Sequence, residues 1–136
     1  MNILLTGATS GLGASLVQIF NKNKNINKII CLGRSFSKIK KITKNDKKII
    51  YIKCDLSEKK NIDLALLKIK NVKTIDILIN NAGTIFLKKE HNSENIEKTM
   101  FVNFLAPVYF VHKLIKKISK SNNKLVVNIV SHAHNV

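Results

Sequence analysis

The sequence predicts an α/β fold in which a parallel sheet is doubly wound, with helices on both faces. Two observations carry this prediction. Short apolar runs of strand length alternate along the chain with segments whose apolar residues recur every three or four positions, as on one face of a helix. The first apolar run also leads directly into a glycine-rich turn at residues 6–13. Strands that alternate with helices in this way favour parallel pairing through right-handed crossovers.

In the first part of the chain, strands and helices are expected to alternate without a break. The strands are predicted at residues 2–5, 28–32, 48–53 and 74–79. The helices between them are predicted from their apolar residues, which are Leu12, Leu16, Ile19 and Phe20 in the first, Ile39 and Ile42 in the second, and Ile62, Leu66, Leu67 and Ile69 in the third. Ser57 precedes the third helix and can cap it through its hydroxyl.

A long helix and one further strand follow. The helix is predicted over residues 93–119, and its buried face is expected to consist of Phe101, Phe104, Val108, Val111, Ile115 and Ile118. The last strand, predicted over 124–130, is apolar enough to be covered on both faces. In a sheet of order 3-2-1-4-5 it becomes an edge strand, which promotes pairing with another chain. Because six residues follow it, residues 1–136 are expected to be one domain, truncated after strand five.

Composition narrows the class of protein. With 136 residues, of which 45% are hydrophobic, the chain has the size and core of a single globular domain. Its net charge of +16 is spread over every segment, which indicates a compositional bias and weak attraction of polyanions, and not a specific nucleic-acid site. No apolar run reaches the roughly 18 residues of a membrane helix, and Met1 leads straight into the first strand, so a cytoplasmic protein without a membrane span is expected. Cys31 and Cys54 lack metal-site spacing and are expected to be free core thiols.

The glycine-rich turn, Thr-Gly-Ala-Thr-Ser-Gly-Leu-Gly at residues 6–13, predicts a dinucleotide site. Glycines tolerate positive φ and carry no Cβ, so backbone N–H groups at the start of the following helix can face a phosphate. The glycine spacing is G-x-x-x-G-x-G and differs from the common G-x-G-x-x-G fingerprint. The alternative is a strand-to-helix turn that binds no ligand.

Five motifs in order resemble the short-chain dehydrogenase/reductase family across the whole chain. They are the glycine turn at residues 6–13, Asp55 after strand three, Asn-Asn-Ala-Gly at residues 80–83, Asn103 in the long helix and Ser131 after the last strand. The glycine spacing is similar to that of the ordinary short-chain type. The resemblance implies a Rossmann-like sheet and an oxidoreductase that transfers a hydride between NADP(H) and a small alcohol or carbonyl substrate.

The resemblance also implies which residues bind the cofactor: Gly7, Thr9, Ser10, Gly11, Leu12, Gly13, Arg34, Asp55, Leu56, Asn81, Ala82 and Gly83. The glycines would bring the backbone against the pyrophosphate, and the Ser10 hydroxyl could add a donor. Asp55 would accept a hydrogen bond from the adenine amino group, with a helix-capping aspartate as the alternative. Residues 80–83 would pass close to the ribose, with an ordinary polar turn as the alternative.

Arg34 indicates NADP rather than NAD. NAD-preferring relatives carry an acid at the end of strand two, where this chain has Gly33 followed by Arg34. Among 24 lysines and arginines Arg34 is the one arginine, and a guanidinium binds phosphate through two parallel hydrogen bonds, which lysine cannot copy. The prediction is therefore a contact to the 2′-phosphate; a solvated surface arginine is the alternative.

Asn103 and Ser131 are the candidate catalytic residues. Pro107 has no N–H, so the carbonyl of Asn103 loses its helical partner, and in the family this carbonyl holds a water on the proton path. The alternative is a kink that adjusts packing. By resemblance, Ser131 would bond the substrate carbonyl or alcohol and stabilise a developing oxyanion, with a cap or turn serine as the alternative. Residues 132–134, His-Ala-His, look like those of retinol-dehydrogenase-like branches, and no metal site is expected.

The family's Tyr-x-x-x-Lys pair is expected about a dozen residues after the serine, and the sequence ends at Val136. Tyr109 and Lys113 have this spacing, but they precede Ser131 and share the helix of Asn103, so we interpret the match as coincidental and Tyr109 as a packing residue. Two hypotheses follow. The chain is the N-terminal part of an NADP-dependent oxidoreductase and is inactive by itself, or it is a non-catalytic nucleotide-binding or interaction module. Association into a homo-oligomer is left open by both.

Overall fold

Five strands form one sheet within residues 1–37, 40, 43 and 46–131, the part of the chain that the computed structural model describes. They are β1 (Asn2–Thr6), β2 (Lys28–Gly33), β3 (Ile49–Lys53), β4 (Ile77–Asn80) and β5 (Leu125–Asn128). The strands lie in the order β3-β2-β1-β4-β5, and every pairing is parallel. The predicted doubly wound α/β sheet of order 3-2-1-4-5 is therefore confirmed.

Helices connect the strands and cover the sheet. They are α1 (Gly11–Lys22), α2 (Lys59–Lys68), and a continuous helical stretch that comprises α3 (Lys98–Met100), a π-helical segment (Phe101–Leu105) and α4 (Ala106–Ser119). The predicted helix around Ile39 and Ile42 lies outside the described residues. Within the described residues, no helix is both long and apolar enough to cross a membrane.

Two apolar cores lie on opposite faces of the sheet, because successive side chains of a strand point to opposite sides. On one face Leu4 packs in a cluster with the inner sides of α2 and α4, including Phe110. On the other face Ile3 and Leu5 pack with Val17 of α1. All three β1 side chains are fully buried, as expected of a central parallel strand.

The predicted buried face of the long helix is wrong in part. The buried residues recur mostly every four positions and are Phe101, Val102, Ala106, Phe110, Leu114 and Ile118. Phe104, Val108 and Ile115, which were expected in the core, are 55%, 53% and 50% exposed. Both stripes are apolar, so periodicity alone cannot say which one faces the sheet.

Two local predictions at helix starts are also wrong. The long helix begins at Lys98 and not at Ser93, because a turn built on the Asn92 side chain occupies the intervening residues. Ser57 does not cap α2; Glu58 precedes that helix, and the Ser57 hydroxyl donates instead to Asp55 Oδ1 at 2.8 Å. A short local hydrogen bond between these neighbours competes with the capping geometry.

β5 is an edge strand, as predicted, and among the described residues it pairs with β4 alone. It is shorter than expected, and it is not covered on both faces: Leu125 is 46% exposed and Asn128 is also exposed. An apolar run predicts burial only where neighbouring elements cover both sides of the strand. Three other apolar residues from the predicted helix faces, Leu12, Ile19 and Leu67, are more than half exposed as well.

Candidate functional site

A cleft of about 260 Å³ lies at the carboxyl ends of the central strands. Its walls come from the segments that follow β1, β2, β3 and β4, where open parallel sheets bind ligands. All of the predicted cofactor residues line this cleft except Gly11. Five further lining residues were not predicted from the sequence, and they are Gly33, Cys54, Thr84, Phe86 and Val102.

The glycine turn packs tightly against the end of β4. Gly7 has a φ of +67°, and a Cβ there would lie 2.9 Å from the Cα of Ala82. A Cβ on Gly13 would overlap the Gly7 carbonyl oxygen and lie 2.6 Å from Nδ2 of Asn81. Only glycine allows the first turn of α1 to approach β1 and β4 this closely.

The amino end of α1 opens toward the cleft, and no side chain in the described part of the chain caps it. Ser10 precedes the helix in an extended conformation, no side chain of a described residue caps the N–H groups, and no acidic residue lies in the first turn. The first N–H groups of an α-helix have no intrahelical partner, and the helix dipole adds partial positive charge at this end. Since Ser10, Leu12 and Gly13 line the cleft, this end suits a phosphate-bearing ligand.

Thr6 and Asn81 lock the turn to the loop after β4. The buried Thr6 hydroxyl accepts hydrogen bonds from the backbone N–H groups of Asn81 and Ala82, both at 3.0 Å. In return, Nδ2 of Asn81 donates to the carbonyls of Thr6 at 3.0 Å and Gly7 at 3.2 Å. The two cleft walls therefore hold each other in a fixed geometry.

Arg34 and Asp55 lie at the ends of the neighbouring strands, and both are exposed and line the cleft. Arg34 makes no hydrogen bond or ion pair with the described residues. Asp55 Oδ1 accepts hydrogen bonds from the backbone N–H and the hydroxyl of Ser57, at 3.0 and 2.8 Å. One Asp55 oxygen thus stabilises its own turn without capping α2, which Glu58 precedes, while Oδ2 makes no hydrogen bond to the described residues.

Asn103 acts on the cleft through its side chain, which the sequence did not predict. Its amide donates from Nδ2 to the Thr84 carbonyl at 2.8 Å and accepts at Oδ1 from the Thr84 N–H at 2.9 Å. Asn103 lies in the π-helical segment, where the N–H of Ala106 donates to the carbonyl of Phe101, five residues earlier. A widened turn directly before Pro107 accords with the loss of a backbone donor there. Asn103 does not itself line the cleft, but Thr84 does.

Comparison with known proteins places this geometry in a family. The family model for short chain dehydrogenases matches residues 1–136. The chain belongs to the short-chain dehydrogenase family. A fatty acyl-CoA reductase of Mycobacterium tuberculosis is 28% identical over 95% of this chain and 46% of its own length. Retinol dehydrogenase 12 of Bos taurus is 30% identical over 98% of this chain and 44% of its own length.

Solved structures agree with this assignment. The carbonyl reductase Sniffer of Caenorhabditis elegans superposes with a TM-score of 0.77 at 26% identity, over 96% of this chain and 62% of its own. The chain thus spans about half the length of the curated relatives that it matches. The family match establishes that the chain belongs to this family of oxidoreductases. Catalytic activity and substrate choice are properties of the full-length relatives, of which this chain covers only a part.

The structure does not bring Ser131, the family's expected serine, among the residues that line the cleft. Ser131 is exposed and lies three residues beyond β5. Asn128, at the end of that strand, accepts a hydrogen bond from Nδ2 of Asn80 at 2.8 Å. The predicted His-Ala-His segment at 132–134 lies outside the described residues. In the described part of the chain, no group of three or more His, Cys, Asp or Glu residues could hold a metal ion.

Tyr109 is engaged outside the cleft. Its hydroxyl donates to Asp63 Oδ1 at 2.5 Å, and Lys59 Nζ binds Asp63 Oδ2 at 2.8 Å. The ammonium groups of Lys59 and Lys113 lie 5.0 and 5.2 Å from the centre of the Tyr109 ring. Hydrogen bonds from Lys59 and Tyr109 lower the pKa of Asp63. This cluster joins α2 to α4, which agrees with a packing role for Tyr109.

The two cysteines are free and buried, as predicted. Burial raises the pKa of each thiol to about 12. Cys54 reaches the wall of the cleft but is only 2% exposed. Since the thiolate is the reactive form, both side chains are inert packing groups at neutral pH.

Proposed function

We propose that this chain is the cofactor-binding part of an NADP-dependent oxidoreductase that acts on an alcohol or carbonyl substrate. The observation that carries the proposal is the cleft itself, where an uncapped helix end, a close-packed glycine turn and Arg34, which is unpaired among the described residues, meet. Bound NADP(H) supplies or accepts the hydride. Residues 1–136 would then form an incomplete catalytic domain.

Each part of the cofactor has a suitable group in the cleft. The N–H groups at the start of α1 and the Ser10 hydroxyl would bind the pyrophosphate, and the Arg34 guanidinium would bind the 2′-phosphate. The free Oδ2 of Asp55 would accept a hydrogen bond from the adenine amino group. Ala82 and Gly83, which have little or no side chain, would let the ribose lie close to the backbone.

Asn103 and Ser131 are proposed to act at the nicotinamide end. Asn103 holds the Thr84 backbone in place, and its own carbonyl, which has no N–H of residue 107 to accept from because that residue is proline, is proposed to hold a water on the proton path. Ser131 would bond the substrate oxygen. The sequence contains no Tyr-x-x-x-Lys after Ser131, so we expect this chain by itself to bind the cofactor without turnover. The names of the relatives, a fatty acyl-CoA reductase and a retinol dehydrogenase, support a carbonyl or alcohol substrate.

The cofactor preference can be measured by titrating the purified chain with NADPH and NADH. We expect tighter binding of NADPH. Arg34→Ala should weaken NADPH binding by roughly 10- to 100-fold, because hydrogen bonds to charged groups contribute about 1.5–3 kcal/mol, and should leave NADH binding unchanged. Lys53→Ala removes an exposed cation at the end of β3 that does not line the cleft, and it should change neither affinity. Equal affinities in the parent chain would contradict the proposed preference.

The alternative is a non-catalytic nucleotide-binding or interaction module, favoured by the exposed edge of β5. Reading the coding DNA beyond codon 136 separates the two candidates. A Tyr-x-x-x-Lys codon pattern in any frame shortly downstream supports the oxidoreductase. Its absence over the next hundred codons supports the module.

We also propose a cytoplasmic location and self-association. Phe104, Val108 and Ile115 expose about half of their surface on one side of the long helix, and exposed apolar clusters mark contact surfaces. Sedimentation velocity should show a species larger than a monomer, and Val108→Asp should shift it to the monomer. A monomer at all concentrations of the parent chain would refute self-association.

A further inference from the structure

The loop at residues 84–97 borders the cleft and is fixed to the long helix at its near end. Thr84 and Phe86 line the cleft. The Asn103 amide holds both backbone groups of Thr84, and the N–H of Phe86 donates to the Thr99 hydroxyl at 3.2 Å. We refer to residues 84–97 as the cleft loop.

The far end of the cleft loop is organised by Asn92, a polar residue that is only 7% exposed. Its Oδ1 accepts hydrogen bonds from the N–H groups of Glu94 and Ile96 at 3.0 and 2.9 Å. Its Nδ2 donates to the Ser57 carbonyl at 3.1 Å. The oxygen thus closes the local turn, and the nitrogen ties this turn to another segment.

A second link runs beside the first. The Glu58 carboxylate accepts hydrogen bonds from the N–H and the hydroxyl of Ser93, at 3.1 and 2.6 Å. Ser57 and Glu58 lie two and three residues after Asp55, and Ser57 in turn donates twice to the Asp55 carboxylate. We call the part of the cleft around Arg34 and Asp55, where adenine is proposed to bind, the adenine corner. A continuous path of hydrogen bonds leads from Asp55 in this corner through Ser57 to Asn92.

We infer that Asn92 and Glu58 are positioning residues that couple the adenine corner to the cleft loop, so that a ligand bound at Asp55 and Arg34 orders the loop. The inference rests on the proposed cofactor site. A ligand that fixes the Asp55–Ser57 turn also fixes the Ser57 carbonyl, which is the acceptor for Asn92. Ordering at one site lowers the entropic cost of ordering at the other, and this is the physical basis of coupling without a large movement.

The test uses adenosine 2′,5′-bisphosphate, which carries the 2′-phosphate and adenine but has no nicotinamide. Hydrogen exchange of the backbone amides at 84–91 is measured in the parent chain with and without a saturating amount of this ligand. We expect exchange to slow by about fivefold or more on binding, in line with typical coupling between sites. The amides of residues 87–91 are the decisive part of this segment, because none of these residues lines the cleft and direct contact with the ligand therefore does not account for slower exchange there.

Asn92→Asp is the diagnostic variant. Aspartate keeps the Oδ1 acceptor for Glu94 and Ile96 but has no donor for the Ser57 carbonyl, so the turn is kept and the link is cut. We expect the ligand to bind this variant and to slow exchange at 55–57, while the slowing at 84–91 falls to less than half of the parent value, since the Glu58–Ser93 link remains. Asn61→Ala serves as the matched control, since the Asn61 side chain makes no hydrogen bond to the described residues; it should behave like the parent chain.

The outcomes separate the inference from the proposed function. If the bisphosphate does not bind the parent chain, the proposed cofactor site fails and the inference fails with it. If it binds but leaves exchange at 84–91 unchanged, or slows it equally in Asn92→Asp, the inference alone is overturned. Should Asn92→Asp not fold, Glu58→Ala removes the second link at the protein surface. It should at least halve the slowing at 84–91, and an undiminished effect would overturn the inference.

Discussion

Gly13→Ala should lower the free energy of unfolding by about 3 kcal/mol and abolish measurable NADPH binding. The added Cβ would overlap the Gly7 carbonyl oxygen and lie 2.6 Å from Nδ2 of Asn81. Neither neighbour can yield easily, because that carbonyl accepts a hydrogen bond from this same Nδ2. Relief therefore requires α1 to move away from β1, which opens the proposed pyrophosphate site.

Gly11→Ala is the matched control two residues earlier. A Cβ on Gly11 would meet no atom within 4 Å. Its φ of +51° is unfavourable for alanine and costs about 1–2 kcal/mol, but nothing has to move. Urea unfolding should therefore show a smaller loss than for Gly13→Ala, and NADPH affinity should stay within about tenfold of the parent value. Equal losses in the two variants would show that backbone conformation, and not close packing, makes the turn sensitive.

The sheet order could be predicted from the sequence because each of its causes is local. Apolar runs such as residues 3–5 are buried on both faces of a parallel strand, and the helices between them enforce crossovers of one hand. Which side of the long helix faces the sheet could not be predicted in the same way. Positions 104 and 110 are both phenylalanine and have the same hydrophobicity, yet Phe104 is 55% exposed and Phe110 only 1%. The start of the helix and its widened turn depend on contacts between distant segments.

The cleft also contains some features that could be predicted from the sequence and others that could not. The motif residues could be placed at one edge, since the carboxyl ends of parallel strands meet there. Gly33 follows the same logic and could have been found, because it ends β2 directly before Arg34. The Asn92 link could not have been found. It joins Ser57 to a residue 35 positions away, and no spacing or periodicity in the sequence indicates such a pairing.

The proposed cofactor-binding residues and the proposed catalytic serine also lie apart in this structure. Ser10, Arg34 and Asp55 line one cleft at the uncapped end of α1, and Thr6 joins two of its walls through the hydrogen bonds that it accepts from Asn81 and Ala82. Ser131 does not line that cleft, and Tyr109 is bonded to Asp63. For variants that break contacts between the walls of the cleft, ligand affinity and the free energy of unfolding are therefore the first quantities to measure. Substitutions of Thr6 test these contacts most directly.

Thr6→Val should lower the free energy of unfolding by on the order of 2 kcal/mol or more, because it leaves two backbone donors without an acceptor. Valine matches threonine in shape, so packing around this buried position changes little. The N–H groups of Asn81 and Ala82 both bond the lost hydroxyl at 3.0 Å. With those bonds gone, the loop after β4 is released from the glycine turn, and NADPH affinity should fall along with stability.

Thr6→Ser separates the hydroxyl from the methyl group. Serine keeps the acceptor for Asn81 and Ala82 and loses one buried methyl, at a cost of about 1 kcal/mol. Urea unfolding with an unchanged m-value should therefore rank the parent chain first, Thr6→Ser second and Thr6→Val last, and NADPH titration should give the same order. If Thr6→Val proved as stable as Thr6→Ser, the burial of the side chain, and not its two accepted hydrogen bonds, would be what holds the walls of the cleft together.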